Sequence, residues 1–212
     1  MWFNLVITVL VAYLLGNLNG AVCISNLVAH EDVRNHGSGN AGLTNFIRNY
    51  GASKSLGVIA VDGGKAALAC LVGGLLLEDS LGYFNGMCIG GFAVMLGHDY
   101  PVLLGFKGGK AVLSCAFVAF TIDWRIGLIA LAVFALFYLT TQYVSLGSIL
   151  GAATISTLFA VFHHGEGELI GMILGIAMGL LVIVLHHGNI VRLIKGNERK
   201  TNLFGKGRRK LE

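Results

Sequence analysis

The chain is 212 residues long, 55% hydrophobic and 12% charged, with a mean hydropathy of +0.76. Soluble domains carry about 25% charged residues, so a soluble globular protein is excluded and the sequence reads as an all-α integral membrane protein. The formal net charge of +4 comes from 15 Lys and Arg against 11 Asp and Glu, and the places where the cations fall say more than their sum.

A helix needs about 17–25 mostly apolar residues to cross roughly 30 Å of hydrocarbon. Candidate spans fall at about 2–28, 53–77, 84–105, 111–122, 126–142, 144–163 and 168–187. That gives about seven transmembrane helices, with five or six as the alternatives, because residues 111–122 are short unless Trp124 and Arg125 sit at the interface. The opening MWFNLVITVLVAYLLG lacks the basic n-region and small-residue cleavage site of a signal peptide and reads as a retained first span.

Short cytoplasmic loops carry the excess of Lys and Arg. Arg34, Arg48 and Lys54 follow the first span or open the second, Lys107 and Lys110 follow the third, and Arg192, Lys195, Arg199, Lys200, Lys206, Arg208, Arg209 and Lys210 follow the last; together they are 13 of the 15 cations. Glu78, Asp79, Asp123, Glu166 and Glu168 occupy the alternate loops. An odd number of spans with the N-terminus outside and the C-terminus cytoplasmic accommodates this pattern. Residues 1–190 then form a single polytopic membrane domain and 191–212 a basic cytoplasmic tail, suited to anionic lipid headgroups rather than nucleic acid. Cys23, Cys70, Cys88 and Cys115 all fall within spans without a C-x-x-C pair, so they read as buried thiols acting as small hydrophobes, not as a disulfide framework or a metal site.

The first cytoplasmic loop contains Gly37-Ser38-Gly39-Asn40-Ala41-Gly42. This is formally G-x-G-x-x-G, but dinucleotide binding needs a soluble βαβ unit around it, and a membrane helix precedes it here. What survives is the underlying physics: glycines allow positive φ and close approach, so backbone amides can converge on an anion. Ser38, Thr44 and Asn45 add side-chain donors and Arg48 a bidentate cation. The plain alternative is a flexible glycine turn.

In the second span Asp62 and Lys65 stand three residues apart, on one helical face, where pairing lowers the cost of burying both. The second cytoplasmic loop holds Gly105-Phe106-Lys107-Gly108-Gly109-Lys110, after His98, Asp99 and the chain's only proline, Pro101. It is one residue short of a Walker A loop, and Ala111 stands where Ser or Thr would hold magnesium, so ATP hydrolysis is not supported. Lys107 and Lys110 among glycines form a second candidate anion site. Ser145, Ser148, His186 and Asn189 are further polar points near the same side.

Taken in order, AYLLGNLNG, RNHGSGNAGLTNFIR, VDGGKA, LGHDYPVLLGFKGGKA, YVSLGS and HHGNIVRLIKGNERK make the chain resemble the bacterial acyl-phosphate:glycerol-3-phosphate acyltransferases, the PlsY family, from end to end. The resemblance implies a seven-helix enzyme of the bacterial cytoplasmic (inner) membrane. Its substrates would be acyl phosphate and glycerol 3-phosphate, its products lysophosphatidate and phosphate. It further implies that Ser38, Gly39 and Asn40 do the catalytic work, with Gly37, Thr44 and Asn45 completing the acyl-phosphate cradle. Arg48, Lys107, Lys110, Ser148, His186 and Asn189 would grip glycerol 3-phosphate, while Asp62 and Lys65 match a D-x-x-K pair and His98 belongs to the LGH motif. No cofactor or metal is implied; the partners are membrane lipid and a soluble enzyme that makes acyl phosphate.

The family's usual G-S-I-P is here Gly16-Asn17-Leu18-Asn19, Leu43 replaces an alanine, Ala111 replaces a glycine, and Gln142 stands where a basic residue is common. Acyl phosphate is a mixed anhydride with a good leaving group, which fits the absence of an obvious Ser-His-Asp or Cys-His relay. A transporter of a small anionic metabolite is the competing class; it predicts midplane helix breaks and an inverted repeat, and no repeat is found.

Overall fold

The computed structural model describes residues 1–203; Lys206, Arg208, Arg209 and Lys210, expected in the basic tail, lie outside the described residues. Ten α-helices run through the described residues in this order: α1 Trp2–Gly16, α2 Gly20–Ala29, α3 Leu43–Tyr50, α4 Ser55–Leu81, α5 Tyr83–Asp99, α6 Val112–Ile122, α7 Trp124–Thr141, α8 Val144–Phe162, α9 Leu169–Leu185 and α10 His187–Ile194. No strand occurs among the described residues, and the chain is an all-α, multi-pass integral membrane protein.

By length and composition five stretches can cross a bilayer: α1 with α2, α4, α5 with the turn after it, α7 and α8. α9 and α10, bent by 55° at His186, make a sixth if the bent pair counts as one span. The segment expected as a span over 111–122 is the shorter helix α6, of 11 residues. The first expected span, 2–28, is divided. Its break at Asn17–Asn19 is built by the two asparagines: Asn19 Oδ1 caps α2 by accepting the Val22 amide at 3.1 Å, and Asn17 Oδ1 accepts the Leu103 amide at 3.0 Å. The breaks expected near 123 and 143 are present. Asp123 caps α7 by accepting the Arg125 amide at 2.9 Å, and Gln142 ends α7 in a left-handed conformation with φ of +62°.

Small residues let the helices approach closely, as membrane packing requires in the absence of a hydrophobic drive between helices. A Cβ added at Gly73 on α4 would lie 2.3 Å from the Gly86 carbonyl oxygen on α5, and one added at Gly97 on α5 would lie 2.0 Å from the Tyr13 carbonyl oxygen on α1. Met95, Val118, Ile126, Phe159, Met178 and Val182 fill the centre, while Phe3, Leu75, Leu139 and many others point outward. Cys70, Cys88 and Cys115 are buried, as expected; Cys23 is exposed, because it lies on the face of the short α2 that turns away from the bundle.

Candidate active site

A buried charge cluster forms the floor. Asp62 and Lys65 pair at 2.8 Å on α4, both side chains almost fully buried. Lys65 Nζ also donates to Gly16 O at 3.1 Å and Leu18 O at 2.7 Å and meets His98 Nδ1 at 2.9 Å. Asp62 Oδ1 also accepts the Gly20 amide at 3.0 Å. The cluster therefore fastens the α1–α2 break and the end of α5 onto α4, and each charge has its partners, without which burial would be prohibitive.

In the loop over 33–51, Gly37 and Gly39 hold φ of +63° and +72°, conformations that glycine adopts without penalty. Asn45, 2% exposed in the first turn of α3, organises the loop. Its Oδ1 accepts the Ser38 amide at 3.0 Å, and its Nδ2 donates to Val33 O, His36 O and Asn40 O at 3.1, 3.0 and 3.0 Å. The Gly39 amide donates to His36 O at 3.0 Å. The Ser38 and Gly39 amides close the loop on itself, and Asn45 braces it. Gly37, Ser38, Asn40, Thr44, Asn45 and Arg48 line the cavity, whereas Gly39 does not. The N-terminus of α3, which no side chain caps, lies among them.

In the second loop glycine serves a different need. The Gly108 and Gly109 amides donate to Asp99 O at 3.2 Å and His98 O at 3.1 Å. An added Cβ would lie 2.0 Å from His98 O at Gly108 and 2.1 Å from His98 Nε2 at Gly109, so close approach selects glycine here. Gly105 and Phe106, with φ of +65° and +59°, turn the chain, and Lys107 is exposed and outside the cavity. Ala111, where the resemblance expects glycine, has φ of +43°, a left-handed conformation that costs an L-residue about 1–2 kcal/mol.

The two loops meet at a cavity of about 640 Å³. Ser38, Thr44, Arg48, Lys110, His186 and Asn189 line its polar end, and Leu113, Ala116, Leu131, Phe134 and Ile155 line an apolar arm between α6, α7 and α8. Ser148 lines it too and donates its hydroxyl to Val144 O at 2.9 Å. His186 Nδ1 donates to Val182 O at 2.7 Å, which leaves Nε2 as the ring's acceptor. Lys110 Nζ donates to Asn189 Oδ1, Asn189 Nδ2 donates to Glu198 Oε1 at 2.9 Å, and Glu198 Oε2 accepts Arg192 Nε at 2.8 Å. Burial first, then the neighbouring Arg192, pushes the Lys110 ammonium below the ordinary lysine range, with Glu198 opposing.

This arrangement has known counterparts. The sequence profile of the family described as glycerol-3-phosphate acyltransferase matches residues 6–196. The chain belongs to the glycerol-3-phosphate acyltransferase family. A glycerol-3-phosphate acyltransferase of Thermoanaerobacter sp. (strain X514) is 38% identical over 195 residues, covering 92% of this chain and 94% of the relative. That of Finegoldia magna (strain ATCC 29328 / DSM 20472 / WAL 2508) is 37% identical over 199 residues, covering 94% and 97%. The crystal structure of PlsY (YgiH), an integral membrane glycerol 3-phosphate acyltransferase in its glycerol 3-phosphate form, superposes with a TM-score of 0.82 at 32% identity, covering 93% of this chain and 96% of that one. Its lysophosphatidic acid form gives 0.81 at 30% identity. The transporter alternative gives way to this family membership.

Among the glycerol-3-phosphate acyltransferase residues expected from sequence, the fold brings Gly37, Ser38, Asn40, Thr44, Asn45, Arg48, Lys110, Ser148, His186 and Asn189 to one cavity, with Asp62 and His98 at its floor. Sequence reasoning missed Arg192 and Glu198, which complete the Lys110 chain, and Thr201, whose hydroxyl oxygen accepts from Arg48. The one available signal was an acid, Glu198, set among the tail's cations.

Proposed function

We propose that this chain transfers a fatty acyl group from acyl phosphate to the sn-1 hydroxyl of glycerol 3-phosphate, giving lysophosphatidate and inorganic phosphate. The observation that carries this reading is one cavity with two characters, a donor-rich end continuous with an apolar arm, which suits a phosphate joined to an acyl chain. Arg48 and Lys110 would hold the acceptor's phosphate, Arg48 as a fork and Lys110 as a point charge. Ser148 and Asn189 would border its glycerol, and His186 Nε2 would accept a hydrogen bond from its hydroxyl. The Ser38 hydroxyl, Thr44 and the uncapped start of α3 would face the acyl phosphate, with Gly37, Gly39, Asn40 and Asn45 setting the loop that presents them.

The acceptor's hydroxyl oxygen bonds to the carbonyl carbon, whose π pair moves to oxygen. That pair returns as the anhydride C–O bond breaks, phosphate leaves, and the hydroxyl proton ends on the phosphate. Positioning of two anions and stabilisation of the oxyanion are then the enzyme's tasks. The cation-rich end is placed at the cytoplasmic face of a bacterial inner membrane with the N-terminus outside, where a soluble enzyme making acyl phosphate has access. Cysteine labels near Asn35 and Gly108 should report cytoplasm and those near Ser80 and Gly167 outside; reversed accessibility of 35 and 167 defeats this orientation.

The deciding assay offers purified protein palmitoyl phosphate or palmitoyl-CoA with glycerol 3-phosphate and measures lysophosphatidate and free phosphate. Turnover with palmitoyl phosphate alone is expected; turnover with the CoA donor alone rejects the donor assignment.

A further inference from the structure

The segment after α10 folds back over the polar end of the cavity, and Glu198 and Leu203 line it. Thr201 sits at its centre, 4% exposed. Its backbone is fixed to α7: the Thr201 amide donates to Gln142 O at 3.1 Å, and the Tyr138 hydroxyl donates to Thr201 O at 3.2 Å while accepting the Leu203 amide at 2.9 Å. Tyr138 is itself fixed, 7% exposed and stacked on Phe134 of the apolar arm with ring centroids 5.9 Å apart. From this anchored position the Thr201 hydroxyl oxygen accepts Arg48 Nε at 2.8 Å and Nη2 as well.

We infer that Thr201, held by Tyr138, is a positioning residue that sets the Arg48 guanidinium for the acceptor's phosphate. A long side chain held by a neutral acceptor in the empty site loses less rotamer freedom when the anion arrives. The hydroxyl suits this role because it orients the guanidinium without itself bringing a countercharge to the site. Tyr138 explains why a tail residue can be exact about a position on α3: it ties the tail to α7 through two hydrogen bonds, and its ring to the wall that lines the apolar arm.

The inference rests on the assignment of Arg48 to the acceptor's phosphate made above, and its test separates the two. Thr201→Val keeps the shape and removes the oxygen; Tyr138→Phe keeps the stacked ring and removes the anchor. Each should raise the KM for glycerol 3-phosphate, Thr201→Val by about tenfold, the order expected for a lost hydrogen bond to a charged group. The KM for palmitoyl phosphate, the kcat at saturation and the thermal midpoint should hold. The double variant should be no worse than Thr201→Val, because both act on one contact, and Thr201→Ser should recover the KM lost in Thr201→Val.

A fall in KM for glycerol 3-phosphate would mean that Thr201 competes with substrate for Arg48 and would overturn the inference. So would an unchanged KM, or equal losses with both substrates together with a lower thermal midpoint. Arg48→Lys is run alongside: if it also spares the KM for glycerol 3-phosphate, the assignment of Arg48 fails, whereas if it raises that KM and Thr201→Val does not, the inference alone fails.

Discussion

Two glycine-rich loops converge on the cavity, and the glycines nearest their site residues meet different needs. In the 33–51 loop Gly37 and Gly39 supply left-handed φ, so that the chain can wrap around the buried Asn45 amide. In the 105–110 loop Gly108 and Gly109 supply the absence of a side chain, so that the backbone can lie against His98 and the carbonyls ending α5. The first loop is braced from within and presents Ser38 and Thr44. The second is bolted to the floor and presents only Lys110. A glycine motif therefore identifies a tight place, and its neighbours decide whether the tightness is torsional or steric.

The sharpest way to break this comparison is Gly108→Ala. Its Cβ would fall 2.0 Å from His98 O and 2.7 Å from Asp99 O, both backbone atoms of the α5 end, so the loop must lift and carry Lys110 away. Activity should drop by about a hundredfold or more, as for misplacement of a positioning group; near-normal turnover would show that the loop slides freely over His98.

The first loop should show a graded response. At Gly37 an added Cβ meets both a left-handed φ and Asn45 Oδ1 at 2.4 Å, whereas at Gly39 the nearest atom outside the loop's own turn is Arg34 O at 3.5 Å. Gly39→Ala should therefore cost only the torsional strain, about 1–2 kcal/mol or roughly tenfold in activity. Gly37→Ala should lose severalfold more. Equal losses, measured as kcat/KM with palmitoyl phosphate, would remove Asn45 as the brace.

Arg48→Lys exchanges a fork for a point charge and should raise the KM for glycerol 3-phosphate by about tenfold, the loss of one charge-assisted hydrogen bond. The KM for palmitoyl phosphate should change less, and a uniform rise would reassign Arg48.

The smallest effect concerns pH. Burial and Arg192 hold the Lys110 pKa below that of a free lysine, so the ammonium present at neutral pH is lost earlier as pH rises. The KM for glycerol 3-phosphate should climb a few-fold on the alkaline side, and Lys110→Arg, which stays charged, should flatten that rise. Persistence of the rise in Lys110→Arg would assign it to another group.

The spans were legible because hydropathy averages over many residues, and the site loops because Gly, Asn and Lys stand out against an apolar chain. Asp62 and Lys65 were legible as a pair because three residues along a helix is a fixed geometry. Other features depend on contacts that no local pattern encodes. An asparagine that grips backbone, as Asn45 does, looks in sequence like one that grips substrate. Lys107 and Lys110 look alike in sequence, and their different places follow from the torsions at Gly105 and Phe106 and the seating of Gly108 and Gly109 against His98 and Asp99. Leu131 and Phe134 of the apolar arm resemble their lipid-facing neighbours, and Thr201 meets Arg48 across 153 positions of sequence.

Arg34 joins the two loops. Its Nε and Nη2 grip Asp32, with a shortest contact of 2.7 Å, while Nη1 donates to Leu104 O at 2.9 Å and Lys107 O at 3.0 Å. The Ser38 loop and the Lys110 loop thus share one strut. Coupling between two sites is reciprocal: if bound acyl phosphate tightens glycerol 3-phosphate by some factor, bound glycerol 3-phosphate tightens acyl phosphate by the same factor. If the strut carries such coupling, Arg34→Ala should make the affinity for each substrate indifferent to the presence of the other.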